Sequence, residues 1–127
     1  MAESTQERIR ELTQRMLRKK LYVVFSKGKA APEQLAANLP AHLEYMIGLE
    51  KEGVLFASGP LLDPGGAPRG DGMTILRTAS AEEARTIAGR DPFYVQGLRT
   101  FEVREWTLME GSLALRVNFS DQSIELT

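Results

Sequence analysis

Ile9, Leu12, Met16 and Leu17 recur at helical spacing on a segment that is otherwise charged. Ser4 followed by Glu7 has the spacing of a capping box, where each side chain satisfies a free backbone N–H at a helix start. The pattern predicts an amphipathic helix over residues 1–20, closing on Arg18, Lys19 and Lys20, where cations suit the negative end of the dipole. The rhythm then changes. Leu21 to Ser26 (LYVVFS) is short, apolar and β-rich, as a central strand buried on both faces should be. Lys27-Gly28-Lys29 turns the chain. From Pro32 to Glu52 the helical spacing returns, with Leu35, Leu39, Leu43, Met46 and Ile47 on a common side. Pro40 predicts a kink or restart, placing His42 in the first turn of the second part, and Gly53 ends the helix.

Val54 to Leu62 reads as the second strand, disturbed by Gly59-Pro60, which does not fit a regular central ladder. Asp63 to Gly72 (DPGGAPRGDG) has the composition of a mobile loop, and Met73 to Arg77 of a third strand. Ser80 with Glu83 is a second capping box; Ala84, Ile87 and Ala88 supply its helix face before Gly89. Asp91-Pro92 is a turn signal. In Leu98 to Leu108, Phe101 and Val103 alternate against Glu102 and Arg104, as in a fourth strand. The order is β-α-β-β-α-β, an α+β fold of ferredoxin-like type. Leu113–Phe119 and Ser123–Leu126 flank turn residues and predict an added C-terminal β-hairpin. The expected organisation is an N-terminal helix (1–20), a ferredoxin-like domain (21–108) and a hairpin extension of the same domain (109–127). Leu113, Leu115, Val117 and Phe119 give that hairpin an apolar face too large to leave in water, and a partner subunit is the expected cover.

Composition narrows the function. A chain of 127 residues, 43% of them hydrophobic, can bury a core without disulfide or metal staples. Its 16 basic and 17 acidic residues nearly cancel, so no net field draws it to nucleic acid or acidic lipid. There is no cysteine, which excludes thiolate chemistry and suits a reducing compartment. The N-terminus lacks the apolar stretch of a secretory signal, and no segment is apolar enough to span a membrane. A cytoplasmic location is expected.

Several chemistries lack their residues. Gly65 and Gly70 have a phosphate-loop spacing, but Asp71 stands where the lysine is needed. No GxGxxG follows a strand and no GxSxG occurs, and one histidine without cysteine is a poor zinc set, so no metal or cofactor is expected. The sequon at Asn118 and the Arg69-Gly70-Asp71 triplet read as loop composition. His42 remains. It is the one side chain suited to giving and taking a proton near neutral pH. A helix histidine need have no task, and Asp91 before Pro92 is ordinary turn chemistry. Residue by residue, neither is specific.

Taken together they are. His42-Leu43-Glu44-Tyr45, Glu52-Gly53-Val54-Leu55, Ser58-Gly59-Pro60-Leu61, Gly70 and Gly72 form the first part of a longer pattern. It continues through Ala79-Ser80-Ala81-Glu82-Glu83-Ala84, Asp91-Pro92-Phe93 and Gly97-Leu98. With LYVVF before it and Val103-Arg104-Glu105-Trp106 after it, this sequence resembles the YCII-related (YciI-like) family from about Leu21 to Trp106. The resemblance implies a ferredoxin-like fold whose sheets pair into a dimeric α+β barrel, hence a homodimer. It implies a site centred on His42 and Asp91, with Asp91 orienting the imidazole, and Ser58, Gly59, Pro60 and Phe93 against the substrate. The first 20 residues and the hairpin lie outside the shared pattern.

Relatives of that family act on oxygenated rings, among them muconolactone isomerase-like proteins and a dehydrochlorinase of chlorinated hydroxyquinols. The resemblance therefore implies a cofactor-free lyase, isomerase or dehydrochlorinase moving protons on a small cyclic or aromatic substrate. The alternative is a non-catalytic dimer that holds a small ligand, with His42 as a hydrogen-bond partner. Nucleic-acid binding is disfavoured, because neither MTILR nor LYVVFS supplies the basic, aromatic strand that base stacking needs.

Overall fold

The computed structural model describes residues 2–127. Ser4 caps the first helix, α1 (Thr5–Thr13), through the reciprocal box: Glu7 N–H donates to Ser4 Oγ and Ser4 N–H donates to the Glu7 carboxylate, both at 3.1 Å. The helix stops well before the expected residue 20. The Thr13 hydroxyl turns back onto the Ile9 carbonyl at 2.9 Å, and Arg18 sits at φ 51, which a right-handed helix cannot contain. Lys19 and Lys20 instead open the first strand, β1 (Lys19–Gly28). The basic cluster therefore does not close a helix.

Within β1, Leu21, Tyr22, Val23 and Val24 are all buried, as a strand covered on both faces requires. Tyr22 and Val24 join Met46 and Leu49 of α2 (Pro32–Lys51), Leu76 of β3 (Pro68–Leu76) and Ala84 of α3 (Ala81–Ala88) in one core. Each large apolar side chain buried there contributes about 1.5–3 kcal/mol. The edge strand β2 (Leu55–Leu62), a short helix α4 (Pro92–Val95) and β4 (Arg99–Leu108) complete the unit. The sheet order is β2-β3-β1-β4, with β3 antiparallel to both β1 and β2. This is the ferredoxin-like arrangement of a βαββαβ chain.

Three elements differ from expectation in ways that bear on the site. The α2 helix runs unbroken through Pro40, so His42 lies mid-helix rather than in a restarted first turn. Pro40 has no N–H for the Ala36 carbonyl, but Met46 and Leu49 hold the following turns in the core. Gly53, at φ 77, ends the helix as predicted. Strand β2 continues through Gly59-Pro60 because it is an edge strand, and its register shifts beside Pro60.

The predicted mobile loop 63–72 is mostly ordered hairpin, since β3 starts at Pro68. Asp63 organises the turn. Its Oδ1 accepts from Gly65 and Ala67 N–H at 2.9 Å each, and its Oδ2 from Arg69 Nε at 2.8 Å.

The Ser80 cap forms at 3.1 Å to Glu83 N–H, although the Glu83 carboxylate accepts from Ala79 N–H rather than completing the box. Residues Lys20–Thr107 form one compact unit, while those up to Lys19 group with Leu108–Thr127 as another. The second unit contains α1 and a two-stranded hairpin, β5 (Leu115–Val117) with β6 (Ile124–Leu126), both shorter than or displaced from the expected strands. Within it, Leu17 N–H donates to the Met109 carbonyl at 3.4 Å.

Candidate active site

The turn at Asp91 begins the site. Asp91 is the N-cap of α4: its Oδ1 accepts from Phe93 N–H at 3.0 Å, the ordinary use of Asp before Pro. The same carboxylate meets His42, 49 residues earlier, whose Nδ1 lies 2.9 Å from Oδ1 and 2.8 Å from Oδ2. An ionised carboxylate only accepts, so Nδ1 carries the hydrogen. In the neutral ring Nε2 is then the free base. His42 is 9% exposed, and Phe93, 3% exposed, stacks on its ring with centroids 4.4 Å apart and planes 17° from parallel. Ring and carboxylate are therefore fixed by packing as well as by hydrogen bonds.

Nε2 makes no hydrogen bond to the described residues, yet none of their buried side-chain nitrogens or oxygens lacks a partner. Nε2 must therefore reach open space. The space available is a cavity of about 840 Å³ between α2 and the β2–β3 side of the sheet. His42, Ser58, Gly59, Pro60 and Phe93 all line it. Asp91 does not; it stands behind the imidazole, against a small void of about 20 Å³ that has room for one water. The cavity wall is otherwise largely apolar, with Leu35, Leu39, Leu43 and Ile47 from α2 and Leu55 and Phe56 from β2. On the sheet, Ser58 Oγ and Thr74 Oγ1 share a hydrogen bond at 2.8 Å, so the cavity contains a hydroxyl pair as well as the imidazole.

Sequence reasoning missed Arg99. It sits at the start of β4 on the inward parity shared by Phe101 and Val103, where an arginine is out of place. Its Nε donates to the Gly70 carbonyl at 2.7 Å, and its guanidinium carbon lies 4.7 Å from the centre of the Phe93 ring. Burial draws its pKa below the ordinary arginine value, opposed by the charges of Asp91 and Asp71. Of the β3 glycines, Gly72 is the one that makes space for it. A Cβ on Gly72 would stand 3.2 Å from Arg99 Nη2, and Gly70, at φ 85, could not take one without meeting Leu35 and Gly28 at 2.9 and 3.0 Å. Tyr45, one turn after His42 on α2, donates its hydroxyl to the Ile87 carbonyl at 2.6 Å; burial foremost raises its pKa, so it stays a neutral donor.

Among the described residues no three histidine, aspartate or glutamate side chains group as a metal site would need, and no helix is long and apolar enough to cross a membrane.

The YCII-related domain family matches residues 20–107. Among solved structures, 5-chloro-2-hydroxyhydroquinone dehydrochlorinase from Burkholderia phenoliruptrix AC1100, in complex with 2,5-dihydroxybenzoquinone, superposes with a TM-score of 0.59 at 24% identity. That match covers 68% of this chain and 92% of the other. An antibiotic biosynthesis monooxygenase gives a TM-score of 0.43 at 13% identity, covering 74% of this chain and 100% of that one. No curated protein is significantly similar in sequence.

Proposed function

The chain belongs to the YCII-related domain family, and from that premise we propose that it is an enzyme moving protons on a small cyclic or aromatic substrate, with His42 as general acid and base. The observation that carries this reading is the pairing of His42 Nδ1 with both Asp91 oxygens at 2.8–2.9 Å, beside an apolar cavity that Nε2 can reach. Nε2 would take a proton from a ring O–H or C–H, and Asp91 would stabilise the imidazolium that forms. Returning the proton to a different ring atom is an isomerisation. Losing an anion from the ring instead, with the electron pair leaving on chloride, is a dehydrochlorination. Neither step requires a metal or a nucleotide. The dehydrochlorinase of Burkholderia phenoliruptrix AC1100 shares the fold at low identity, and its ligand is a small oxygenated ring. Ser58, Gly59, Pro60 and Phe93 form the substrate wall in this reading. A second copy of the chain is the proposed macromolecular partner.

The test is turnover on a panel of hydroxylated and halogenated rings by the wild type and His42→Gln. Loss of a general acid–base should lower turnover by about 10²–10⁴-fold. Equal turnover by the two proteins would sink the proposal. If every ring that binds is recovered unchanged after long incubation, the protein is a small-ligand-binding module instead.

A further inference from the structure

The structure assigns Arg99 to a negatively charged oxygen of the ligand: the cavity is built for an anionic ring, a carboxylate or a phenolate, rather than a neutral one. This rests on the cavity being the substrate site, as proposed above, and adds the charge class of what enters it. Arginine keeps its positive charge in proteins, so a half-buried guanidinium needs an anion or an ample set of acceptors. Here one nitrogen is satisfied: Nε donates to the Gly70 carbonyl at 2.7 Å. Among the described residues neither Nη1 nor Nη2 makes a hydrogen bond, and no carboxylate pairs with Arg99 within salt-bridge distance. Asp71 lines the same cavity and acts on Arg99 through its charge, but its Oδ1 accepts from Gly28 N–H at 2.9 Å and neither of its oxygens pairs with the guanidinium. Asp91 is committed to His42 and Phe93.

The free end of the guanidinium is also held in place. It rests 4.7 Å from the centre of Phe93, the ring that stacks on His42 at 4.4 Å, so cation and base are registered on one rigid phenyl. Glycine at position 72 leaves space beside Nη2 where any side chain would crowd it at 3.2 Å. Arg99 lines the same cavity as His42, Ser58 and Thr74. A ring seated there would present an oxyanion to Nη1 and Nη2 while another of its atoms faces His42 Nε2.

Binding without turnover tests this. Benzoate is compared with benzamide, and para-nitrophenolate with para-nitroanisole, by calorimetry and by the ring resonances of His42, the only histidine. A charge-assisted pair of hydrogen bonds should favour the anion of a pair by about tenfold or more. Arg99→Gln should erase that preference while leaving the neutral probe's affinity within about twofold, and Arg99→Lys should restore part of it by keeping the charge. Preference for benzoate alone assigns a carboxylate ligand, and for para-nitrophenolate alone a phenolate. If the variants unfold, Gly72→Ala, which pushes only on the end of Arg99, should still reduce the anion preference. Equal or absent binding of anion and neutral partner, or an undiminished preference in Arg99→Gln, overturns the assignment. A ring anion that binds through Arg99 but is not turned over leaves the assignment standing and removes only the proton-transfer reading.

Discussion

In the proposed reaction one nitrogen of His42 carries the chemistry while Asp91 occupies the other. Asp91→Asn separates that electronic role from the structural one. Asparagine also caps helices, so the bond to Phe93 N–H should survive and the fold with it. Its amide can offer a hydrogen to Nδ1, turning the ring to the tautomer whose Nε2 carries the proton and cannot accept another. We expect turnover to fall by roughly 10²–10⁴-fold, and ¹⁵N resonances of the imidazole to show the exchange of tautomer. Unchanged tautomer and rate would mean that Asp91 only caps α4. The sequence alone left this pair undecided. A histidine and an aspartate 49 residues apart have no shared periodicity, and only the motif pattern joined them. Arg99 was legible in principle, since it falls on the same strand parity as Phe101 and Val103. A single cation at a strand end looks like an exposed terminus until its face is known, and so it escaped notice.

At the level of elements, hydrophobic rhythm located most of the sheet and helices, and it failed where one side chain governs several backbone groups. Residues 63–72 look like loop by glycine and proline content, but one carboxylate, Asp63, gathers Gly65, Ala67 and Arg69 into a tight turn. The Ala67 N–H foremost, and then Arg69, hold the Asp63 carboxyl below its usual pKa. A carboxyl depressed in the fold supports the turn at neutral pH and gives up that support as pH falls through its folded value. The amide resonances of Gly65 and Ala67 should therefore shift together in acid, with a midpoint below the free aspartate value of about 3.9, and Asp63→Asn should abolish the transition. A midpoint at the free value would show that these bonds do not hold the turn. Pro40 is the complementary case, where a local rule was overridden by packing. Its helix continues because Met46 and Leu49 are buried beyond it. Pro40→Ala restores an N–H for the Ala36 carbonyl, and we expect stabilisation of about 1–3 kcal/mol in urea unfolding. A destabilised variant would mean that the proline ring itself is packed to advantage.

For the whole molecule, the open question is what covers the C-terminal hairpin. Its register places Leu115 opposite Leu126 and Val117 opposite Ile124 on one face, with Arg116 opposite Glu125 on the other. The face is as apolar as its sequence suggested, yet every one of its residues is exposed; Leu113 and Phe119 beside it are 82% and 94% exposed. A two-stranded ribbon is marginal in water on its own, and a contiguous apolar face of this kind marks an interaction surface. A second copy is the economical cover, because the same face meets itself across a two-fold axis. We therefore expect light scattering to report a particle of two chains at micromolar concentration. Val117→Lys with Ile124→Lys sets like charges directly opposite each other on that face. The double variant should run as a monomer while the unit Lys20–Thr107 keeps its unfolding midpoint, since exposed substitutions away from a core usually change stability by no more than about 0.5 kcal/mol. A wild type that stays monomeric, or a double variant that remains dimeric, would show that this face is not where two copies meet. In the second case the contact between two copies would lie elsewhere, with the open edge of β2 as the alternative; in the first, the two-chain reading would fall.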